Sequence, residues 1–252
     1  WFGGDESFYG ETTTSVARVW YVLRDRHMRG PFTITIKDSA GNVIRTQPAS
    51  TRKGLNSVDL ALRMPAPLTG ASDVSLTFGA FQGPLLPEGT YTVELSKGGV
   101  VRTTPLVVVT DTIYRHTAED RAAQQRLTSL LYRRNEELAV TIAYVRAGRD
   151  SLRRLNDPAF AADVEALDSL HRSLVNTRVG SLTGEEQLRE RLASLYGEVN
   201  GYLGRPSASQ TALAERLGAQ VDGATRRATD LLQGKPVESR STIEDRLRKT
   251  RR

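Results

Sequence analysis

The sequence of 252 residues predicts an α+β protein with two domains, an antiparallel β-sandwich followed by an antiparallel bundle of helices. Two observations predict this class. Before Asp111, short β-branched and aromatic runs are separated by Gly- and Pro-containing turns, a pattern typical of strands. After Asp111, about 140 residues carry apolar side chains at helical spacing. A chain of this length suffices for two ordinary domains, and we expect their boundary at this change.

Seven short runs predict the strands of the sandwich, because each shows partial alternation of period two. They cover residues 17–23, 32–37, 43–46, 55–62, 74–78, 90–95 and 100–109. The turn segments 38–42 and 97–99 predict hairpins within this set. In residues 87–93 a Pro/Gly turn precedes a late strand that contains Tyr91. We expect the hydroxyl of Tyr91 to form a hydrogen bond with nearby backbone, as in a tyrosine corner. We therefore predict an immunoglobulin-like antiparallel β-sandwich over residues 1–111.

The first predicted helix is unusually long. Thr117 followed by Glu119 and Asp120 is a capping sequence. The apolar stripe that follows extends to Leu155 if Gly148 is tolerated, which gives a helix of about 38 residues and roughly 57 Å.

Three further helices complete an antiparallel, mostly four-helix bundle over residues 112–234. The second begins at Asp157–Pro158, the third at residues 183–186, and the fourth at a capping box of Ser207 and Gln210. The third carries a coiled-coil-like seam of Leu188, Leu192, Leu195, Val199 and Tyr202. Residues 235–252 are predicted to be a basic, flexible tail or a short helix.

Several segments resemble a known family. Residues 54–56 (GLN), 62–67 (LRMPAP) and 86–93 (LPEGTYTV), with 8–10 (FYG) before the first strand, resemble the immunoglobulin-like module after the β-propeller of bacterial sortilin-like, BNR-repeat proteins. These large exported proteins are often described as glycosyl-hydrolase-like. The resemblance covers about residues 8–140. Within the helical part it includes Asp120, Gln124, Asn135 and Glu136.

The chain departs from the family at two places. Leu60–Ala61 replaces a Trp-Asp pair, and Met64 stands where an aromatic residue is common. The resemblance implies an exported protein, whether periplasmic, at the cell surface or extracellular, and a β-propeller partner outside this chain. It also implies that any catalytic or ligand site lies on that propeller.

The formal net charge of +6 does not lead us to expect nucleic acid as a partner. Of the 35 basic residues 30 are Arg, which indicates coding bias, and many alternate with acids, as in Arg189, Glu190 and Arg191, a pattern typical of a solvated face. With no cysteine, the chain has no disulfide framework, thiolate zinc site or cysteine nucleophile. No apolar run is long enough for a transmembrane segment.

We predict no catalytic, cofactor-binding or metal-ligating residues, and no cofactor. The residues His27, His116 and His171 are far apart in sequence, and Asp168, Ser169 and His171 are too close along one helix to form a triad.

Two surfaces are candidate contacts. The aromatic residues Trp1, Phe2, Phe8 and Tyr9 are predicted to form an interface with the propeller. The alternative, since Asp5, Glu6 and Glu11 lie among them, is a sugar or calcium site. The basic cluster is either a solvated tail or an electrostatic contact with acidic polymer, lipid headgroups or a neighbouring subunit; it consists of Arg246, Arg248, Lys249, Arg251 and Arg252.

The leading hypothesis is a non-catalytic accessory region in which the sandwich acts as a rigid spacer and the helical bundle supplies a packing or self-association surface, forming a homo-oligomer. A second hypothesis makes it part of a propeller glycosidase or peptidase whose catalytic residues lie outside this chain. A third makes it a binding module for glycan or another acidic polymer.

Overall fold

A computed structural model describes residues 16–72, 74–76, 78–111, 115–177 and 186–250. The fold is α+β, and the chain divides into two compact units. The sheet unit comprises residues up to 64 together with 85–110, and the helical unit comprises residues 65–84 and those from 111 onward.

The described part of the sheet unit contains six strands in two antiparallel sheets. One sheet pairs β1 with β4, and the other has the order β3-β2-β5-β6. The strands are β1 Val16–Leu23, β2 Phe32–Lys37, β3 Val43–Pro48, β4 Gly54–Ala61, β5 Gly89–Lys97 and β6 Val100–Val108.

Both sheets contribute side chains to one core. Ile34 and Ile36 of β2, Val93 of β5 and Leu60 of β4 are almost completely buried within it. The hairpins predicted at 38–42 and 97–99 are present, since β2 pairs with β3 and β5 with β6 in antiparallel register. The hydroxyl of Tyr91 donates to the carbonyl of Pro87 at 2.9 Å, which confirms the predicted side-chain bond to nearby backbone.

The predicted strand at 74–78 is wrong. None of its described residues lies in a strand, and the chain leaves the sheet unit after Met64 and returns at Leu85. The intervening docking segment, residues 65–84, belongs to the helical unit and contains the 3₁₀ turn Phe78–Phe81. A strand satisfies its backbone by pairing with a neighbour, whereas the carbonyls of Gly70, Val74 and Gln82 accept side-chain donors from a helix.

Five α-helices form the described part of the helical unit together with the docking segment. They are α1 Ala118–Leu155, α2 Ala161–Leu174, α3 Leu188–Gly201, α4 Ala208–Leu232 and α5 Arg240–Thr250. Their apolar stripes meet in one core, because amphipathic helices bury their apolar faces against one another. Ile243 of α5 is fully buried in this core.

The predicted helix signals are largely observed. Thr117 caps α1 in a capping box with Asp120, and Ser207 caps α4 with Gln210. Helix α1 has 38 residues and continues through Gly148, where a Cβ would lie 2.6 Å from the side chain of Leu232. Asp157 caps a short 3₁₀ turn that precedes α2.

The third helix differs from its prediction at both ends. The predicted start at 183–186 falls mostly outside the described residues, and the helix is described from Leu188, with Gln187 as its cap. The seam ends at Val199, because Tyr202 terminates the helix and is 58% exposed.

Candidate functional site

A buried ion pair on α3 attaches the docking segment to the helices. Arg189 and Glu190 are 5% and 8% exposed, and their side chains are 2.7 Å apart. Arg189 Nε donates to the carbonyl of Gly70 at 2.7 Å, and its Nη1 donates to that of Val74 at 3.1 Å. The prediction that residues 189–191 form a solvated face is therefore wrong for the first two residues, because the docking segment covers them. Arg191 is exposed.

A second contact brings the docking segment against the backbone of α3. A Cβ on Gly197 would lie 3.2 Å from the carbonyl carbon of Gly79, so no side chain separates the two backbones. The hydroxyl of Tyr196 donates to the carbonyl of Gln82, which also accepts from Asn200 Nδ2 at 3.1 Å. These contacts fix the 3₁₀ turn against the helix.

A pocket of about 280 Å³ lies where the docking segment meets α1 and α2. Its polar lining comes from α1, from α2 and the turn after it, and from the docking segment. The residues are Ser72, Arg146, Arg149, His171, Asn176 and Thr177. Ser72 Oγ donates to the carbonyl of Asn176 at 2.9 Å, which joins two walls of the pocket. We call this space the α1–α2 pocket.

The two pocket arginines differ in their partners. Arg149 is held by two carboxylates, since Nη2 lies 2.8 Å from Asp150 Oδ1 and Nη1 lies 3.3 Å from Asp168 Oδ1. Asp168 also pairs with Arg153. Arg146 is exposed and has no hydrogen bond or ion pair with any described residue. Among the described residues, the carboxylates of Asp150 and Asp168 are thus paired with Arg149 and Arg153, and the guanidinium of Arg146 is left without an ion pair.

The imidazole of His171 is partly buried at the pocket wall. Burial lowers its pKa, and the positive charges of Arg149 and Arg146 lower it further, with Asp168 and Asp150 opposing them. The ring is therefore largely neutral at pH 7. On the same helix, the carboxylate of Asp168 is engaged by Arg149 and Arg153.

The sequence contained one unused signal for this pocket. Arg146, Arg149 and Arg153 are spaced three and four residues apart, which places three guanidinium groups on one face of a helix. No sequence pattern indicates that Ser72, Asn176 and Thr177 line this pocket, because two segments about 100 residues apart in the chain pack together to form it.

The predicted aromatic interface lies outside the described residues, as do Arg251 and Arg252. The remaining basic cluster residues lie on α5. Arg246 pairs with Glu238 at 2.9 Å, and Arg248 pairs with Glu244 at 2.9 Å and Glu136 at 3.5 Å. Lys249 is exposed. Because two of these charges have acidic partners within the chain, the cluster is less basic than its sequence indicates.

Gln124, Asn135, Asp120 and Glu136, the α1 residues named in the predicted resemblance, have mainly structural contacts. Gln124 is buried and donates to the carbonyl of Val199 at 2.8 Å, which links α1 to α3. Asn135 is buried and donates to the carbonyl of Leu131 one turn earlier. Asp120 caps α1 and accepts from Arg205 Nε at 2.8 Å. Glu136 contacts Arg248.

The outer face of β1 and β4 carries exposed apolar side chains. Val22 and Leu55 lie directly opposite each other and are 68% and 66% exposed, and Trp20 is 60% exposed. On the same face the guanidinium of Arg18 lies 2.7 Å from the carboxylate of Asp59. We call this surface, with Val16 at its end, the β1–β4 outer face.

Within the described ranges, no three His, Asp or Glu residues come close enough to hold a metal ion. The helices in those ranges include none with the length and apolar character needed to cross a bilayer. Comparison of the chain with protein-family models, with curated proteins and with solved structures gave no match.

Proposed function

We propose that this chain is a non-catalytic accessory region of an exported bacterial protein of the sortilin-like, BNR-repeat type. In this proposal the sheet unit is an immunoglobulin-like sandwich that acts as a spacer and an association surface. Helices α1 to α4 form an antiparallel four-helix bundle with α5 packed against it. The β-propeller is a partner outside this chain.

The connectivity of the sheet unit supports the immunoglobulin-like assignment. A four-stranded sheet of order β3-β2-β5-β6 shares its core with the β1–β4 pair, and Tyr91 forms a corner at the entry to β5. Immunoglobulin-like sandwiches combine two such antiparallel sheets and a tyrosine corner near the start of a late strand. At one position where the chain departs from the family, Leu60 supplies an apolar side chain that is buried in this shared core.

The β1–β4 outer face is the observation that carries the association function. Trp20, Val22 and Leu55 form one apolar cluster at one end of this face, since Val22 faces Leu55 and Trp20 lies two residues along β1 opposite Ser57. Contiguous exposed apolar surface on a soluble domain commonly marks an interaction site. In the described part of the helical unit, the exposed large apolar side chains are Phe81, Leu155 and Tyr202, which lie on separate elements. The sheet unit is therefore the stronger candidate for association.

A second copy of this chain is the partner that the β1–β4 outer face fits best. The face carries both charges of the Arg18–Asp59 pair beside its apolar residues, so a two-fold arrangement can bring Arg18 of one copy near Asp59 of the other. Among the described strands β1 pairs only with β4. In this proposal its second edge forms an antiparallel pair with the same strand of another copy.

The test is the mass of the full chain in solution, measured by light scattering over a range of concentrations. We expect a dimer that the double substitution Val22→Thr and Leu55→Thr shifts towards monomer, because these variants keep β-propensity and remove apolar surface. The matched control is Val100→Thr with Val107→Thr, which changes two similarly exposed residues on β6. A wild-type chain that stays monomeric, or equal effects of the two double variants, would contradict the proposal.

A further inference from the structure

Within the part of the chain that the structure describes, the α1–α2 pocket combines an arginine that has no ion pair with hydrogen-bonding side chains that have no partner. Arg146 is exposed at the pocket and forms no ion pair with a described residue, while Arg149 is paired with Asp150 and Asp168. The side chains of His171 and Thr177 also line the pocket and make no hydrogen bond within the described part of the chain. We propose that this pocket binds a small molecule through an oxyanion group, either a phosphate or a carboxylate.

Guanidinium geometry favours this class of ligand. An arginine presents parallel N–H donors that match two oxygens of a carboxylate or phosphate, and such charge-assisted bonds are among the stronger ones in proteins. Arg149 already has its donors directed to carboxylates, so it fixes the wall of the pocket. Arg146 supplies the binding charge.

The other pocket groups complete the recognition of an oxyanion. A neutral imidazole can donate one N–H, and the hydroxyl of Thr177 can donate another bond. Burial and the nearby arginines keep His171 largely neutral in the unliganded protein, so at pH 7 its ring offers a hydrogen bond to an anion but no positive charge. The volume of about 280 Å³ exceeds that of a single phosphate group and lies at the small end of ligand sites. The ligand is therefore a small organic molecule that carries the oxyanion.

Anion binding and protonation of His171 are coupled. A bound anion favours the imidazolium, so it raises the pKa of His171, and by reciprocity acidification tightens binding. Among the described residues, the charged groups that act on His171 are Arg146, Arg149 and Asp150 from α1 and Asp168 from its own helix, α2.

The experiment is an NMR titration of the full chain at constant ionic strength with three probes, namely inorganic phosphate, glucuronate and glucose. The readouts are the amide shifts of residues 176 and 177 and the pKa of His171. We expect at least one of the two anions to shift these amides and to raise the pKa of His171, while glucose has no effect. Tighter binding of phosphate assigns a phosphate-bearing ligand, and tighter binding of glucuronate assigns a carboxylate.

Two variants with equal charge change make the test specific. Arg146→Gln should weaken binding by about tenfold, since it removes a charge-assisted bond. Arg154→Gln changes an exposed arginine further along the same helix, whose guanidinium donates to Ser151 Oγ, and should leave affinity within about twofold. Equal weakening by both variants, binding of glucose, or no response to either anion would overturn the proposal.

Discussion

Arg189 is a buried side chain that joins α3 to the docking segment. It is buried, pairs with Glu190, and donates to two carbonyls of the docking segment. Removing one partner of a buried pair leaves the other charge without compensation, and this typically costs about 3–5 kcal/mol. The backbone N–H groups of Asn176 and Gln187 also donate to Glu190, so the carboxylate would keep part of its stabilisation.

We therefore predict that Arg189→Ala lowers the free energy of unfolding by about 3 kcal/mol, whereas Arg191→Ala changes it by less than about 0.5 kcal/mol. Arg191 is the matched control because it lies on the same helix two residues away and is exposed. Urea denaturation of the full chain measures both values. Similar losses for the two variants would show that the buried pair does not hold the docking segment.

The sequence predicted those residues whose role is local and missed those whose role depends on distant packing. Thr117 and Ser207 are recognisable as helix caps because a capping box involves only the cap residue and the residue three positions later. Arg189 was assigned to solvent because its neighbours are charged, and nothing in that pattern indicates that residues 70 and 74 cover it. The pocket around Arg146 was missed for the same reason.

Among the secondary-structure elements, the docking segment differs most from its prediction. Residues 74–78 contain β-branched and aromatic residues, which favour a strand, but the segment packs on α3 instead. The pair Gly79 and Gly197 permits this packing, because the two backbones approach without an intervening side chain. Tertiary contact therefore overrides the local preference for strand.

We predict that Gly197→Ala destabilises the protein although alanine favours helices. Alanine gains roughly 0.5–1 kcal/mol over glycine inside a helix, but here its Cβ would lie 3.2 Å from a carbonyl carbon of the docking segment. Gly223→Ala on α4 is the control. Its Cβ would have no atom within 4 Å, so this variant should gain the full helix-propensity stabilisation. Urea denaturation measures stability, and limited proteolysis within residues 65–84 reports release of the segment. Stabilisation by both variants would refute the close backbone contact.

For the complete chain, the pH dependence of stability combines contributions from both ends of the helical unit. His171 has a pKa lowered below 6.5 by burial and nearby arginines. The unfolded chain thus binds a proton more readily there, and stability falls as pH drops from about 6.5 through the folded pKa. Asp120 has its pKa lowered from 3.8 to about 2 by the hydroxyl of Thr117 and by Arg205. The stabilisation from ionised Asp120 is fully present above pH 3.8 and is lost as the pH falls towards 2.

We predict two separate acid-dependent losses of stability, and each is assigned by one substitution. His171→Gln should flatten the decrease of the urea midpoint as pH falls below about 6.5, because a glutamine does not titrate in this range. Asp120→Asn should lower stability at neutral pH and reduce the loss between pH 3.8 and 2. The measurement is the urea midpoint of the full chain and both variants between pH 2 and 8. A wild-type midpoint that rises on acidification from pH 7 to 5, with His171→Gln removing that rise, would mean that an anionic environment surrounds His171 and would contradict the charge assigned to the α1–α2 pocket.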